Sequence, residues 1–209
     1  MDCKATVNIG DFARGGQTRG DTQASDHDFT EEHYIPCGIV DEDSAQLYLI
    51  FGNSYKTSDF IVDTLQEWWK ELTPQQQQQT HRIQLKIDNG PESSGVRTQF
   101  LKRIVAFSDE IGIPIHLLYY PPYHSKYNPI ERCWGILEKH WNGAKLTDVL
   151  TMLLWARSMT WKGLSPIIKL SFRTYEKGIS LTKKAMRPIE ERLIRNPLLP
   201  KWDILIQPI

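Results

Sequence analysis

Three acidic side chains, Asp2, Asp88 and Glu131, are spaced so that three separate elements would have to bring them together. Carboxylates are hard oxygen donors, which suit Mg2+ or Mn2+ rather than zinc. Grouped in a low-dielectric place they repel one another unless divalent cations neutralise them. Two such ions about 3.5–4 Å apart clamp the attacking and leaving oxygens of an in-line phosphoryl displacement. One lowers the pKa of a water or a terminal 3′-hydroxyl, the other stabilises the leaving oxygen, and no covalent protein intermediate is needed. Each acid also has a plainer role: Asp2 as a solvated strand end, Asp88 as a turn former before Asn89-Gly90, Glu131 as a partner of a helix dipole. With 25 acids in the chain, spacing alone does not choose between these readings.

The elements that must carry the acids are legible as hydrophobic patterns. Cys3, Ala5, Val7 and Ile9 alternate with polar residues, which predicts a first strand with Asp2 at its start. Gly10 to Thr30 is polar and Gly-rich and reads as a long loop. Tyr34–Val40 and Leu47–Phe51 are further strands, joined by a hairpin turn at Asp41-Glu42-Asp43. Thr57 or Ser58 caps a helix running to about Leu72, and the glutamines from Gln75 to Gln79 read as a solvated extension or loop. Ile83–Ile87 is a strand ending at Asp88, residues 95–111 a helix ended by Gly112, and Ile113–Tyr119 a strand stopped by Pro121-Pro122. Pro129–Trp141 is a helix with Glu131 in its first turn, and Thr147–Trp161 another. Beyond them, Tyr175–Leu181 and Trp202–Ile206 read as strands and Lys183–Arg195 as a helix. The order β-β-β-α-β-α-β-α predicts an α/β chain with a mixed five-stranded sheet, helices on both faces and a helical C-terminal extension. Residues 1–145 would form the main domain and residues 146–209 the extension packed on it.

The neighbours of the acids carry a resemblance. Pro121-Pro122-Tyr123-His124-Ser125-Lys126-Tyr127-Asn128-Pro129-Ile130-Glu131, with Trp134 three residues later, resembles the signature around the last acid of DDE transposases related to the mariner group. Ile87-Asp88-Asn89-Gly90 looks like their second-Asp motif. Asp2-x-Lys4 with Ile9-Gly10-x-Phe12-x-Arg14-Gly15-Gly16 looks like the first-Asp segment of the ISAzo type of bacterial insertion sequences. Tyr175-Glu176-Lys177-Gly178, Leu181-Thr182-Lys183-Lys184 and Pro200-Lys201-Trp202-Asp203 look like the C-terminal run of that type. The resemblance implies a ribonuclease-H-like fold and a catalytic and metal-binding triad of Asp2, Asp88 and Glu131 holding two Mg2+ ions, with Mn2+ able to substitute. It also implies metal-dependent strand cleavage and strand transfer at insertion-sequence ends. The partners it implies are element ends and target DNA, bound as a homo-oligomer in the bacterial cytoplasm at the nucleoid. Such transposases carry an upstream helix-turn-helix region, so the expectation is a fragment lacking it. An inactive remnant serving as a DNA-scaffold or oligomerisation module, and a related nuclease or integrase, remain the alternatives.

Composition bounds these readings. Lys plus Arg and Asp plus Glu each number 25, a balance that argues against tight DNA binding by this chain alone. Arg14, Arg19, His124, Lys126 and Asn128 are the candidate DNA contacts, although a solvated loop or a plain surface lysine would look the same. Tyr119, Tyr120 and Tyr123 read either as base-stacking groups or as wedges against the sheet end. Trp134 and Trp141 read as core anchors, and Glu138 as an exposed residue two turns beyond Glu131. Three cysteines, Cys3, Cys37 and Cys133, form no disulfide framework and no metal motif, which fits a reducing cytoplasm. No apolar run is long enough to span a bilayer.

Overall fold

The computed structural model describes residues 1–11, 32–121, 124 and 127–209. Among them the elements run β1 (Asp2–Cys3), β2 (Val7–Asn8), β3 (His33–Val40), β4 (Leu47–Gly52), α1 (Ser58–Glu71), α2 (Pro74–Gln79), β5 (Ile83–Asp88), α3 (Thr98–Ile111), β6 (Ile115–Tyr120), α4 (Pro129–Trp141), α5 (Val149–Ser158), β7 (Ile167–Ser171), α6 (Lys183–Glu190), β8 (Leu193–Arg195) and β9 (Asp203–Ile206). The expected α/β class with mixed sheets is observed, consistent with a ribonuclease-H-like fold. The chain divides into two compact units. One holds Met1, residues 55–128 and residues 175–209; the other holds residues 2–54 and 129–174.

In the unit of residues 2–54 and 129–174, β3 pairs antiparallel with β1, β2 and β4, and β7 pairs parallel with β4. The hairpin expected at Asp41 is closed by Asp41 N–H donating to the Gln46 carbonyl and by the Asp41 carboxylate accepting from the Asp43 and Ser44 amides. The expected single first strand is broken. Cys3 lies opposite Cys37, but Val7 lies opposite Tyr34, so four steps along the first segment match three along β3. One extra residue is therefore accommodated between them, the signature of a β-bulge. Pro36 sits at the break: it has no N–H to return to the ladder, and its carbonyl accepts from Lys4. Ala5, expected on the buried side, is exposed.

The bulge changes which side chains share a face. Residues opposite one another in an antiparallel pair project to the same side. Asp2 lies across from Gly38, and Val7 from Tyr34, both at even positions of β3. Asp2 thus faces the same side as Val7 and Ile9, not the opposite side as strict alternation predicts. That side is covered by α4: Val7, Ile9, Tyr34, Leu47, Leu49 and Phe51 form one core with Ile130, Trp134, Leu137 and Trp141. Helix and strand approach through Gly38, where an added Cβ would stand 2.6 Å from Ile130 Cδ1 and 2.7 Å from Trp134 Cη2.

In the other unit, β5 and β6 are parallel, β9 lies antiparallel to β6, and β8 completes the four-stranded sheet. Thr57 caps α1 by accepting from the Phe60 amide, as expected. The glutamine run is helical instead of irregular, because Thr73 and Gln76 form a capping box and Pro74 opens the helix. Arg103 ties α3 to α1 by donating to Asp59 and Asp63, each at 2.6 Å. Residues 175–181 form no strand. Tyr175 packs on Phe60 and donates to Asp63, Gly178 takes φ 78°, and the Leu181 amide donates to Thr98, so this segment is held by helices instead of by a ladder. The helix expected over 183–195 stops at Glu190, and Leu193–Arg195 pairs with β9 instead.

Two outcomes follow from this packing. Gly38→Ala is expected to lower unfolding free energy by about 1–3 kcal/mol, the range for forced overpacking. Urea denaturation measures it, and Ile130→Val should restore part of the loss by withdrawing the Cδ1 methyl. Asp109 accepts from Arg192 (2.6 and 3.2 Å) and from the Ile209 amide (2.9 Å); the Arg192 hydrogen bond holds its carboxyl below the usual range. A group depressed by folding stabilises above its unfolded pKa, about 3.9, and that contribution is lost as pH falls through the folded value. Asp109→Asn should therefore cost on the order of 1 kcal/mol at pH 7, discounted for solvent screening. The gap to the parent should close in melts below about pH 4.

Candidate active site

Asp2 and Glu131 belong to the same unit, and their surroundings fit together. Asp2 is half-buried opposite Gly38, and Gly38 receives Ile130 and Trp134, the residues on either side of Glu131 along α4. Glu131 is half-buried in the first turn of that helix. Lys4, which shares the face of Asp2, forms an ion pair with Glu138, which shares the helical face of Glu131. The strand and helix that bear the two acids are thus joined by a charge pair as well as by apolar packing. Glu138 is half-buried in this pair, where an exposed position was expected. Lys4 and Glu138 were not found as partners from sequence, because nothing in either pattern specifies a contact across 134 residues.

Asp88 belongs to the other unit, as the last residue of β5 opposite Tyr120 of β6. It is half-buried, and its carbonyl accepts from the Gly90 amide at 2.8 Å and the Ser93 hydroxyl at 3.1 Å. These bonds fix the turn by which the chain leaves the strand. Met1 lies beside β5, its amino group donating to the Lys86 carbonyl at 2.9 Å. The Met1 carbonyl in turn accepts from the Asn128 side-chain amide at 3.3 Å. Asn128 is 1% exposed, so this expected DNA contact instead has its side chain buried and tied to the N-terminal residue.

Of the other candidates, Arg14, Arg19, Lys126 and Tyr123 lie outside the described residues. His124 is exposed, and its ring stacks on Tyr127 with centroids 5.8 Å apart and planes inclined by 19°. Tyr127, 61% exposed, has no place in the pattern of apolar spacing and was missed for that reason. Tyr119 is a wedge: it is buried, its hydroxyl donates to the Ser93 carbonyl, and burial pushes its pKa up. Trp134 and Trp141 are core residues, Trp141 packing against Phe51. Cys133 is buried, and burial pushes its thiol up to about 12, which keeps it protonated.

Among the described residues no three His, Cys, Asp or Glu side chains are gathered closely enough to cage a metal ion. The three acids nevertheless have the donor chemistry for hard divalent cations, being carboxylates without a thiolate or imidazole among them. Among the described residues no helix is long and apolar enough to cross a membrane. The coupling between β1 and α4 is directly measurable: a double-mutant cycle on Lys4→Ala and Glu138→Ala should give an interaction energy of about 0.5–1.5 kcal/mol, diminished at high salt. Additive effects would mean that the pair does not hold strand to helix.

No curated protein matches the chain, and no solved structure does. The family described as the Rhodopirellula transposase DDE domain matches residues 1–208. With nearly the whole chain matched, the protein belongs to this family of transposase DDE domains.

Proposed function

We propose that Asp2, Asp88 and Glu131 are the three carboxylates through which this domain cleaves DNA at the ends of an insertion sequence and joins the freed 3′ ends to target DNA. Strand cleavage and transfer in transposition is the general chemistry of the family. The finer placement, in the ISAzo type related to the mariner group, rests on Asn128-Pro129-Ile130-Glu131 with Trp134 and on the Asp2-x-Lys4 segment.

One observation carries the assignment of residues. Met1 is hydrogen-bonded to Lys86 and to Asn128, and it is covalently joined to Asp2. Asp88 is two residues beyond Lys86, and Glu131 three beyond Asn128. Within the unit that holds them, Met1, Lys86 and Asn128 are thus joined by hydrogen bonds, and each is a near neighbour in sequence of one of the three acids.

Asp2, Asp88 and Glu131 would hold two Mg2+ ions, with Mn2+ as a substitute. Bound divalent ions supply Lewis-acid stabilisation of the leaving oxygen and a lowered pKa for the attacking water or 3′-hydroxyl. The chain's own residues orient the acids. The capped turn at Gly90 and Ser93 fixes the exit of Asp88 from β5, and Gly38 with the Lys4–Glu138 pair sets Asp2 against α4. His124 and Tyr127, seven and four residues before Glu131, present an exposed aromatic surface that fits a DNA base or sugar. Leu150 and Leu154, exposed one turn apart on α5, offer apolar area for a homo-oligomer on DNA.

The test is a Mg2+ titration read by thermal unfolding, with end-labelled DNA products read in parallel. Mg2+ should raise the midpoint of the parent by several degrees and that of Asp88→Asn far less. Cleavage and joining should fall on the order of 10³-fold in Asp88→Asn and Glu131→Gln. Equal metal responses would overturn the assignment in favour of a non-catalytic scaffold. Nicks without joined strands would point to a nuclease.

A further inference from the structure

Cys3 and Cys37 are directly opposite one another in the β1–β3 ladder, with their sulfurs 2.8 Å apart. Neither thiol takes part in the chemistry above. We propose that these two residues are a modification site: a cross-strand pair that closes to a disulfide on exposure to a low-molecular-weight disulfide oxidant and reopens with a thiol reductant.

Backbone register supports this closure independently of the sulfur contact. Lys4 donates to the Pro36 carbonyl, so Lys4 and Pro36 occupy a hydrogen-bonded position of the antiparallel ladder. Such positions alternate with non-hydrogen-bonded ones, which puts Cys3 and Cys37 at the latter. There the Cα atoms of an antiparallel pair are about 4.5 Å apart, inside the range of about 4.4–6.8 Å that a disulfide spans. The two side chains also project to the same face. The bond therefore forms without moving either strand.

The third cysteine is excluded by its surroundings. Cys133 lies on α4 in the core between that helix and the sheet, the face opposite the one to which Cys3 and Cys37 project, and its sulfur donates to the Pro129 carbonyl. Cys3, 6% exposed, is more accessible than Cys37, which is fully buried. It also lies on a strand of two residues that ends its sheet, so opening a short ladder is enough to present it.

The steps balance. The Cys3 thiolate attacks one sulfur of the oxidant, forms a mixed disulfide and releases one thiolate. The Cys37 thiolate then attacks Cys3 Sγ and releases the second. Two electrons pass to the oxidant, which leaves as two thiols, and the protein loses two hydrogens. The closed bond clamps the backbone of Asp2 against Gly38, on the face away from the Asp2 carboxylate.

The experiment treats the full reduced chain with oxidised glutathione, alkylates the remaining thiols after denaturation, and maps the digest without reduction. The expected product joins the Cys3 and Cys37 peptides with a loss of two hydrogens, leaves Cys133 alkylated, and reverts with dithiothreitol. Its thermal midpoint should rise by about 5–10 °C, as for closure of a loop of this length. Cys133→Ala should form the same link and Cys3→Ala none. A stable glutathione adduct on Cys3, a link through Cys133, or three alkylated thiols would each overturn the proposal. The readout is covalent, so it stands or falls apart from the assignment of Asp2 to catalysis.

Discussion

Pro36 cannot return a hydrogen bond to the strand beside it, and the first segment of the chain is arranged around that missing donor. An unbroken strand from Cys3 to Ile9 would send Asp2 away from the face on which Val7 and Ile9 are buried. The extra residue taken up beside Pro36 reverses this and turns Asp2 toward α4. Two positions further along β3, Gly38 gives up a side chain so that Ile130 and Trp134 can approach. The missing N–H and the missing Cβ act together. One sets the direction of the first acid, and the other admits the helix that carries the third.

The second acid is positioned by different means. Asp88 ends β5, which among the described residues pairs with one strand, the parallel β6, and the departing chain is held by two hydrogen bonds to its carbonyl. This is the usual place for function in an open α/β sheet, at the carboxyl end of a strand. In the proposed triad, like-charged carboxylates would gather closely only as cations neutralise them, so backbone anchoring of each acid would matter more than contacts among them. In the unit of Asp88, the Met1 amino group and carbonyl are both engaged, one by β5 and the other by buried Asn128.

Much of this was readable before the structure. The cap at Thr57, the turn at Asp41, the strand ending at Asp88 and the helix opening at Pro129 all follow from local residue chemistry, and all are observed, while the strand expected over Ile113–Tyr119 is found at Ile115–Tyr120. The three acids were singled out by the residues around them. What escaped depends on partners distant in sequence. β7 is a strand because β4 lies beside it, and β8 because β9 does. Residues 175–181 have the composition of a strand but find their hydrogen bonds on helices. The bulge beside Pro36 is invisible to a two-residue period, since the period itself is what it breaks. The capping box of α2 was within reach, because Thr73-Pro74 with Gln76 is a local signature that the glutamine run obscured.

The charge balance acquires a structural explanation from the ion pairs. Lys4, Arg97, Arg103, Lys145, Arg192 and Arg195 are each matched with a carboxylate of the same unit, and most of these cations are well shielded from solvent. Cations committed in this way stabilise the fold and displace few counterions from DNA, which is the main source of salt-dependent affinity. With a formal net charge of zero, the chain has no overall positive charge to draw DNA in. In the proposed function, close contacts near the reacting phosphate would take that place, and the exposed pair His124 and Tyr127 would contribute by stacking instead of by charge. Affinity from that source varies little with salt, whereas occupancy of a carboxylate site by divalent ions varies strongly with their concentration. In that proposal, binding of DNA and readiness for chemistry would be governed by different solution variables, and the first would persist where the second is absent.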